Sequence, residues 1–272
     1  MAHSSFSAAD AAPDSISPPA FDAVVFDMDG VLTQTAEVHA QAWQRLFDAF
    51  FAHWNAQHPQ EPKVFDAAHD YLAYIDGRPR FEAIRHYLAH QGIELPQGSL
   101  DDAPGFATVG ALGNLKNAYF FEIIETDGVA LYESTLDLIG ELPAQGIQIA
   151  LVTSSRNAQV VLAKTGLGEL FEVVIDGLVA AERGLPGKPA PDTFLAACAE
   201  LGVEATRAVL VEDAVSGVQA GARGGFALVV GLARSDNAQA LRENGADIVF
   251  SDFAETNLEE LAQLVHSKRA AS

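Results

Sequence analysis

The run Ala23-Val-Val-Phe26 ends in Asp27-Met-Asp29-Gly30, and no other stretch restricts the fold of this chain as much. Four apolar residues in a row, without polar alternation, suit a strand buried on both faces of a parallel sheet. In open α/β sheets, ligands bind beyond the carboxyl ends of the strands. Asp27 and Asp29 stand at such an end, two positions apart, so their side chains start on the same face. Two carboxylates held that close need a cation or a shared proton. A Mg2+ site with one aspartate left for chemistry meets that need. A solvated Asp-Gly turn at a strand end is the plainer alternative, because so short a motif arises easily by chance.

The 272 residues allow one large domain or a core with a smaller insert, and 49% of them are apolar, enough for a full core. Acids outnumber bases 37 to 16, for a net charge of −21. That charge argues against nucleic acid or an acidic membrane as partner. Any phosphate site must therefore be locally basic. The single cysteine, Cys198, excludes an internal disulfide and suits a reducing cytoplasm. It lies in Thr-Phe-Leu-Ala-Ala-Cys-Ala-Glu-Leu, a helical pattern in which it reads as core. No apolar run reaches the roughly 18 residues of a membrane span, and the N-terminus lacks the order of a signal peptide. Residues 1–20, rich in Ala, Ser, Pro and Asp, read as a disordered tail.

After the first strand, Trp43, Leu46, Phe47, Phe50, Phe51 and Trp54 recur at helical spacing within 36–57. Further helices are expected near 64–75, 79–91 and 113–126, with a Gly/Pro/Asp-rich loop at 95–113. Nothing from 36 to 127 resembles a buried strand. Strands are then expected at 147–152, 173–175, 208–211, 227–230 and 247–250. Helices at 134–145, 156–166, 191–201, 214–223 and 235–244 separate them. Such alternation implies βαβ crossovers and a parallel sheet.

Three of the later strands lead into chemistry-bearing residues. Thr153 ends one and opens a helix, where a hydroxyl and free amides favour an anion, although a plain N-cap gives the same pattern. Lys188 lies in Gly184-Leu-Pro-Gly-Lys-Pro-Ala-Pro-Asp, where flanking prolines restrain the backbone. Glu212-Asp213 follows Val-Leu-Val and precedes Gly217, an arrangement that suits a metal or simply a helix dipole.

In this order, Asp-x-Asp, Thr, Lys-Pro and Glu-Asp-x-x-x-Gly resemble the haloacid dehalogenase superfamily, over most of residues 21–250. The resemblance implies a Rossmann-like parallel sheet core at 21–35 and 128–272, with a helical cap domain at 36–127 inserted after the first strand. It implies Mg2+ and an aspartyl-phosphate intermediate, with Asp27 as nucleophile and Asp29 as general acid/base. Thr153 and Lys188 would hold the transferring phosphoryl group. Asp27, the carbonyl of Asp29 and Asp213 would ligate the metal, and Glu212 would support its shell. The superfamily's true dehalogenases lack the second aspartate, so Asp29 points to phosphoryl transfer.

Thr35-Ala-Glu37-Val-His39-Ala-Gln-Ala-Trp43 is similar to the β-phosphoglucomutase-like branch, which places Thr35 and His39 at the cap hinge. Asp76-Gly77-Arg78-Pro79-Arg80 resembles that branch's cap substrate loop, with Gly77 and Arg80 binding the sugar phosphate. Ser154, Ser155, Arg156 and Asn157, together with Lys116 and Asn117, match its remaining substrate-binding positions. Gln34 and Arg156 depart from the usual Asp and Lys, and the Gly/Pro loop at 96–113 is longer. A bisphosphate mutase needs two phosphate sites, and Arg80, Arg156 and Asn157 would make the second. The implied activity is conversion of β-glucose 1-phosphate to glucose 6-phosphate, activated by glucose 1,6-bisphosphate, in the cytoplasm. A sugar-phosphate phosphatase and a non-catalytic phosphosugar-binding protein are the alternatives. Asp29 and Lys188 weigh against the latter.

Overall fold

A computed structural model describes residues 19–271 and places the first strand in the middle of a six-stranded parallel sheet. The strands are β1 (Ala23–Phe26), β2 (Gln148–Val152), β3 (Val173–Ile175), β4 (Ala208–Glu212), β5 (Leu228–Leu232) and β6 (Ile248–Phe250), in the order β3-β2-β1-β4-β5-β6. Phe26 pairs with Leu151 on one side and Val211 on the other. The ends of β1, β2 and β4 are therefore nearly level, and Asp27, Thr153 and Glu212-Asp213 leave the sheet along one edge. The order reverses direction at β1, which opens the crevice where such sheets bind ligands.

Unbroken apolar runs are explained by helices on both faces. Val24, Phe26, Leu151 and Val211 pack with α4 (Glu133–Glu141), α5 (Ala158–Thr165) and α10 (Leu258–Ala271). Ala23, Val25, Val152 and Leu210 pack with α7 (Asp192–Leu201), α8 (Val215–Gly224) and α9 (Ala238–Glu243). Each fully buried Val or Phe contributes about 1.5–3 kcal/mol relative to exposure.

Between β1 and β2 lie α1 (Thr35–Gln57), a π-helix (Ala67–Ile75), α2 (Arg80–His90) and α3 (Val109–Asp127). These helices enclose a core of their own, built on Trp43, Leu46, Phe47, Phe50, Tyr87 and Leu112. This is the helical cap. Asp70, buried in it, accepts from the Tyr87 hydroxyl at 2.8 Å and from the Asp66 amide at 3.1 Å, which anchors the π-helix to α2.

The structure differs from the sequence reading in four places. The expected loop at 95–113 ends early, because α3 starts at Val109 under an N-cap from Thr108 to the Ala111 amide at 2.9 Å. Gly110 and Gly113 had suggested loop, but they serve packing: a side chain there would strike the Ser99 carbonyl and the Phe81 ring. The segment near 64–75 forms a π-helix, whose wider turn escapes a 3.6-residue template. Two helices, α6 (Gly177–Glu182) and α10, were not anticipated. Finally, Pro19 and Ala20 belong to the folded body, since Arg207 donates to both carbonyls, at 2.9 and 3.0 Å. The rest of the expected tail, residues 1–18, lies outside the described residues. Among the described residues no helix is long and apolar enough to cross a membrane.

Cys198 is 2% exposed on the inner face of α7, and burial together with the charge of Glu204 pushes its thiol up to about 11. The native protein should therefore resist a disulfide reagent near pH 8 and react only in denaturant. Rapid native labelling would contradict this packing.

Candidate active site

The Asp27 amide donates to the Val211 carbonyl at 3.0 Å, which fixes the residue just past β1. Its carboxylate accepts from Lys188, whose ammonium also donates to Glu212 at 2.5 Å. All three side chains are buried. The second Glu212 oxygen accepts from the Asp213 and Ala214 amides at 2.9 and 2.8 Å, so this side chain is fully committed. Gly217 makes that possible, since a side chain there would occupy the place of the Glu212 carboxylate. Gly30 does the same for Asp213: it adopts φ +88°, and a side chain would collide with the Asp213 carboxylate. These contacts give the glycines in both motifs a packing reason.

Asp29 faces the cap. Oδ1 accepts from the Thr35 hydroxyl and lies 3.5 Å from Nε2 of His39, while Oδ2 accepts from Thr153 at 3.3 Å. Lys116, 2% exposed, reaches Nδ1 of His39 and lies over the rings of Trp43 and Phe120. His39 stacks on Phe120 at 4.3 Å. With Lys116 donating to Nδ1, the His39 proton belongs on Nε2, toward Asp29.

Arg80 donates to Asn117 at 2.8 Å, and Asn157 donates to the same Asn117 oxygen at 2.7 Å. The three residues thus link cap to core, Arg80 at the cavity lining and the two asparagines outside it. Arg156 stands near Arg80 and forms no ion pair among the described residues. Ser154 points to the Gly77 carbonyl at 2.9 Å, and Ser155 accepts from the Asn157 amide at 3.2 Å. Both serines therefore serve the backbone. Asp27, Asp29, His39, Lys116, Arg80 and Lys188 line one cavity of about 70 Å³, together with Gly77, Ser154, Ser155, Arg156, Thr153, Glu212 and Asp213. Thr35, Asn117 and Asn157 sit outside its lining. Trp43, Tyr71, Asp76 and Arg78 line it without having been singled out as candidates. Only the tertiary fold turns Tyr71 toward the cavity from a helix whose buried residues are Asp70 and Ile75.

The charges explain the geometry. Burial drives Asp27 well above the usual carboxylate range, Glu212 and Asp29 add to this, and Lys188 opposes it. Burial also raises Asp213, and Asp76, Glu212 and Asp27 repel its charge further. Burial works against Lys188 too, but Asp27 and Glu212 outweigh it and hold the ammonium above the ordinary lysine value. Burial opposes Asp29 as well, yet His39, Thr35 and Lys116 keep it below the usual range. Burial and Lys116 lower His39. Burial, with Arg156 nearby, brings Arg80 down to about 10.

Asp27 and Asp213 are thus two hard oxygen donors short of positive charge, which fits Mg2+ with several retained waters. No three His, Cys, Asp or Glu side chains converge on a metal position among the described residues, in keeping with the commitment of Glu212 to Lys188. Because both aspartates are raised, protons compete with a cation as pH falls. Mg2+ should raise the melting temperature near pH 8, raise it much less near pH 5.5, and have little effect on Asp213→Ala. An equal shift in the variant would remove Asp213 from the site.

The family model for haloacid dehalogenase-like hydrolases matches residues 21–225. A β-phosphoglucomutase of Mycobacterium bovis is 41% identical over 241 residues, 88% of this chain and 92% of its own. The crystal structure of a β-phosphoglucomutase from Clostridium difficile has a TM-score of 0.69 at 22% identity, covering 92% of this chain and 99% of its own, a likeness of fold. CbbY from Rhodobacter sphaeroides, solved in complex with phosphate, has a TM-score of 0.63 at 26% identity, covering 86% and 96%. The chain belongs to the haloacid dehalogenase-like hydrolases and is an enzyme of that superfamily.

Proposed function

We propose that the chain is a Mg2+-dependent phosphotransferase on sugar phosphates, and most specifically a β-phosphoglucomutase working through an aspartyl-phosphate on Asp27. The division into a core (21–35 and 128–272) and a cap (36–127), and a cytoplasmic location, are part of this reading. The observation that carries it is a cavity with two cationic poles among its lining residues: Lys188 against Asp27, and Arg80 with Arg156. In a protein of net charge −21, two such poles suit a substrate with two phosphates.

The residues divide the work as follows. A carboxylate oxygen of Asp27 attacks phosphorus as the bond to the leaving oxygen breaks, giving the acyl phosphate. Lys188 and the Thr153 hydroxyl hold the transferring oxygens. Asp27 and Asp213 would hold Mg2+, which would supply charge to offset the phosphoryl oxygens. Asp29, kept ionised by Thr35 and His39, takes the proton of an incoming sugar hydroxyl. It then returns that proton to the leaving oxygen in the second half-reaction. Arg80 and Arg156 bind the phosphate that is not being transferred. The intermediate, glucose 1,6-bisphosphate, turns around between half-reactions and would activate the enzyme when added.

The test measures glucose 6-phosphate and free phosphate together from β-glucose 1-phosphate, with and without glucose 1,6-bisphosphate. The expected result is activation with little free phosphate. Phosphate release at the same rate without activation would select the phosphatase. Arg80→Ala should lower transfer to sugar by about 10- to 100-fold, the worth of a charge-assisted contact, and should slow phosphoenzyme hydrolysis far less. An unchanged rate and product ratio would remove Arg80 from the phosphate site.

A further inference from the structure

The loop after β5 carries two side chains that belong to none of the four motifs and do not line the cavity, yet both end on the backbone of the proposed Mg2+ site. Pairing of Glu212 with Gly231 brings that loop beside the exit of β4. Arg234 donates through Nε to the Gly30 carbonyl at 2.9 Å. Its Nη1 donates to the Ser251 carbonyl at 3.0 Å and to the Asp252 carboxylate at 2.7 Å. The guanidinium also lies over the Tyr132 ring, 3.6 Å from its centre. Asn237 stands at the N-cap of α9, where such a side chain ordinarily accepts from the amides of its own helix. Here it makes no capping bond, and Nδ2 donates instead to the Asp213 carbonyl at 3.0 Å.

Stability alone would not select these contacts. Nη2 of Arg234 and Oδ1 of Asn237 are buried without a hydrogen-bond partner among the described residues, and such groups are costly to keep. What the two side chains hold is the seam of the site. Gly30 directly follows Asp29, and the Asp213 carboxylate fills the space that a side chain at Gly30 would need. The backbone bonds of this turn run within residues 28–33, from Leu32 and Thr33 to the Met28 carbonyl and from Gly30 to the Thr33 carbonyl. Arg234 ties the turn to the neighbouring loop. We propose that Arg234 and Asn237 are positioning residues for the cation: by holding the Gly30 and Asp213 carbonyls, they keep Asp213 packed on the Asp29-Gly30 turn and in place beside Asp27. This rests on the Mg2+ reading above and adds a further loop to those that shape the site. Arginine suits the task because its planar fork serves Gly30 and Asp252 at once, which the ammonium of a lysine on its flexible stem does not.

The test measures the Mg2+ dissociation constant by calorimetry near pH 8 in wild type, Arg234→Ala, Arg234→Lys and Asn237→Ala. The metal-free melting temperature and KM for β-glucose 1-phosphate are measured on the same samples. Arg234→Ala should weaken Mg2+ binding by about 10-fold, and Arg234→Lys and Asn237→Ala by roughly 3- to 10-fold, with KM at saturating Mg2+ nearly unchanged. Arg234→Lys and Asn237→Ala decide the matter should Arg234→Ala fail to fold. A lower melting temperature with unchanged Mg2+ affinity overturns the inference and leaves both residues a structural role. A raised KM with unchanged Mg2+ affinity also overturns it, and assigns Arg234 to the linker returning from the cap through Tyr132. A wild type that binds no Mg2+ overturns the metal reading itself, and the inference with it.

Discussion

The ammonium of Lys188, held between Asp27 and Glu212 at the level ends of β1 and β4, is the contact on which the rest of the site depends. Two unit charges of like sign about 4 Å apart repel by about 4 kcal/mol at an effective dielectric of 20. Asp27, Glu212 and Asp213 would therefore spread apart or take up protons if the loop at 184–191 did not deliver a cation among them. Removing one partner of such a buried pair typically costs about 3–5 kcal/mol. A core built for stability alone would put apolar side chains there. Keeping the charges instead leaves Asp27 buried and oriented against Lys188, which suits its proposed role as phosphoryl acceptor.

A second set of contacts ties Asp29, the proposed proton-handling residue, to the cap. Thr33 and Thr35 share a hydroxyl contact of 2.5 Å, Thr35 donates to Asp29, and His39 connects Asp29 to Lys116. Thr35 and His39 lie on the first turns of α1, so rotation of the cap about this point would move both away from Asp29. Ser154 on Gly77 and Ser216 on Asp76 hold the other side of the cap against the core. The geometry of Asp29 is therefore set by cap position, which gives the proposed enzyme a way to withhold its base until a substrate draws cap and core together.

The edge of the sheet that carries the proposed catalytic residues was legible because it is written in local sequence. Apolar runs ending in Asp27, Thr153 and Glu212-Asp213 define strands and their exits at once, and parallel pairing brings those exits level. Lys188 was legible through its prolines. The cap was less so. Gly110 and Gly113 look like loop residues until the Phe81 ring and Ser99 carbonyl are seen against them. Tyr71 gave no signal, because a π-turn has no sequence period of its own, and Asp76 was read only as the residue that opens the cap loop carrying Gly77 and Arg80. The serines at 154 and 155 were singled out as substrate contacts, yet both hydroxyls serve the backbone, a distinction of rotamer and partner that residue type does not carry.

The central claim is that phosphorus passes through Asp27. The most direct measurement is acid-quenched mass spectrometry of the enzyme during turnover, with peptide mapping of the modified residue. The proposed reaction requires one phosphoryl group, labile to base, on the peptide containing Asp27, and none in Asp27→Asn. Rapid turnover with no phosphoryl group on Asp27 at any quench time, or the same adduct on the Asn variant, would contradict it.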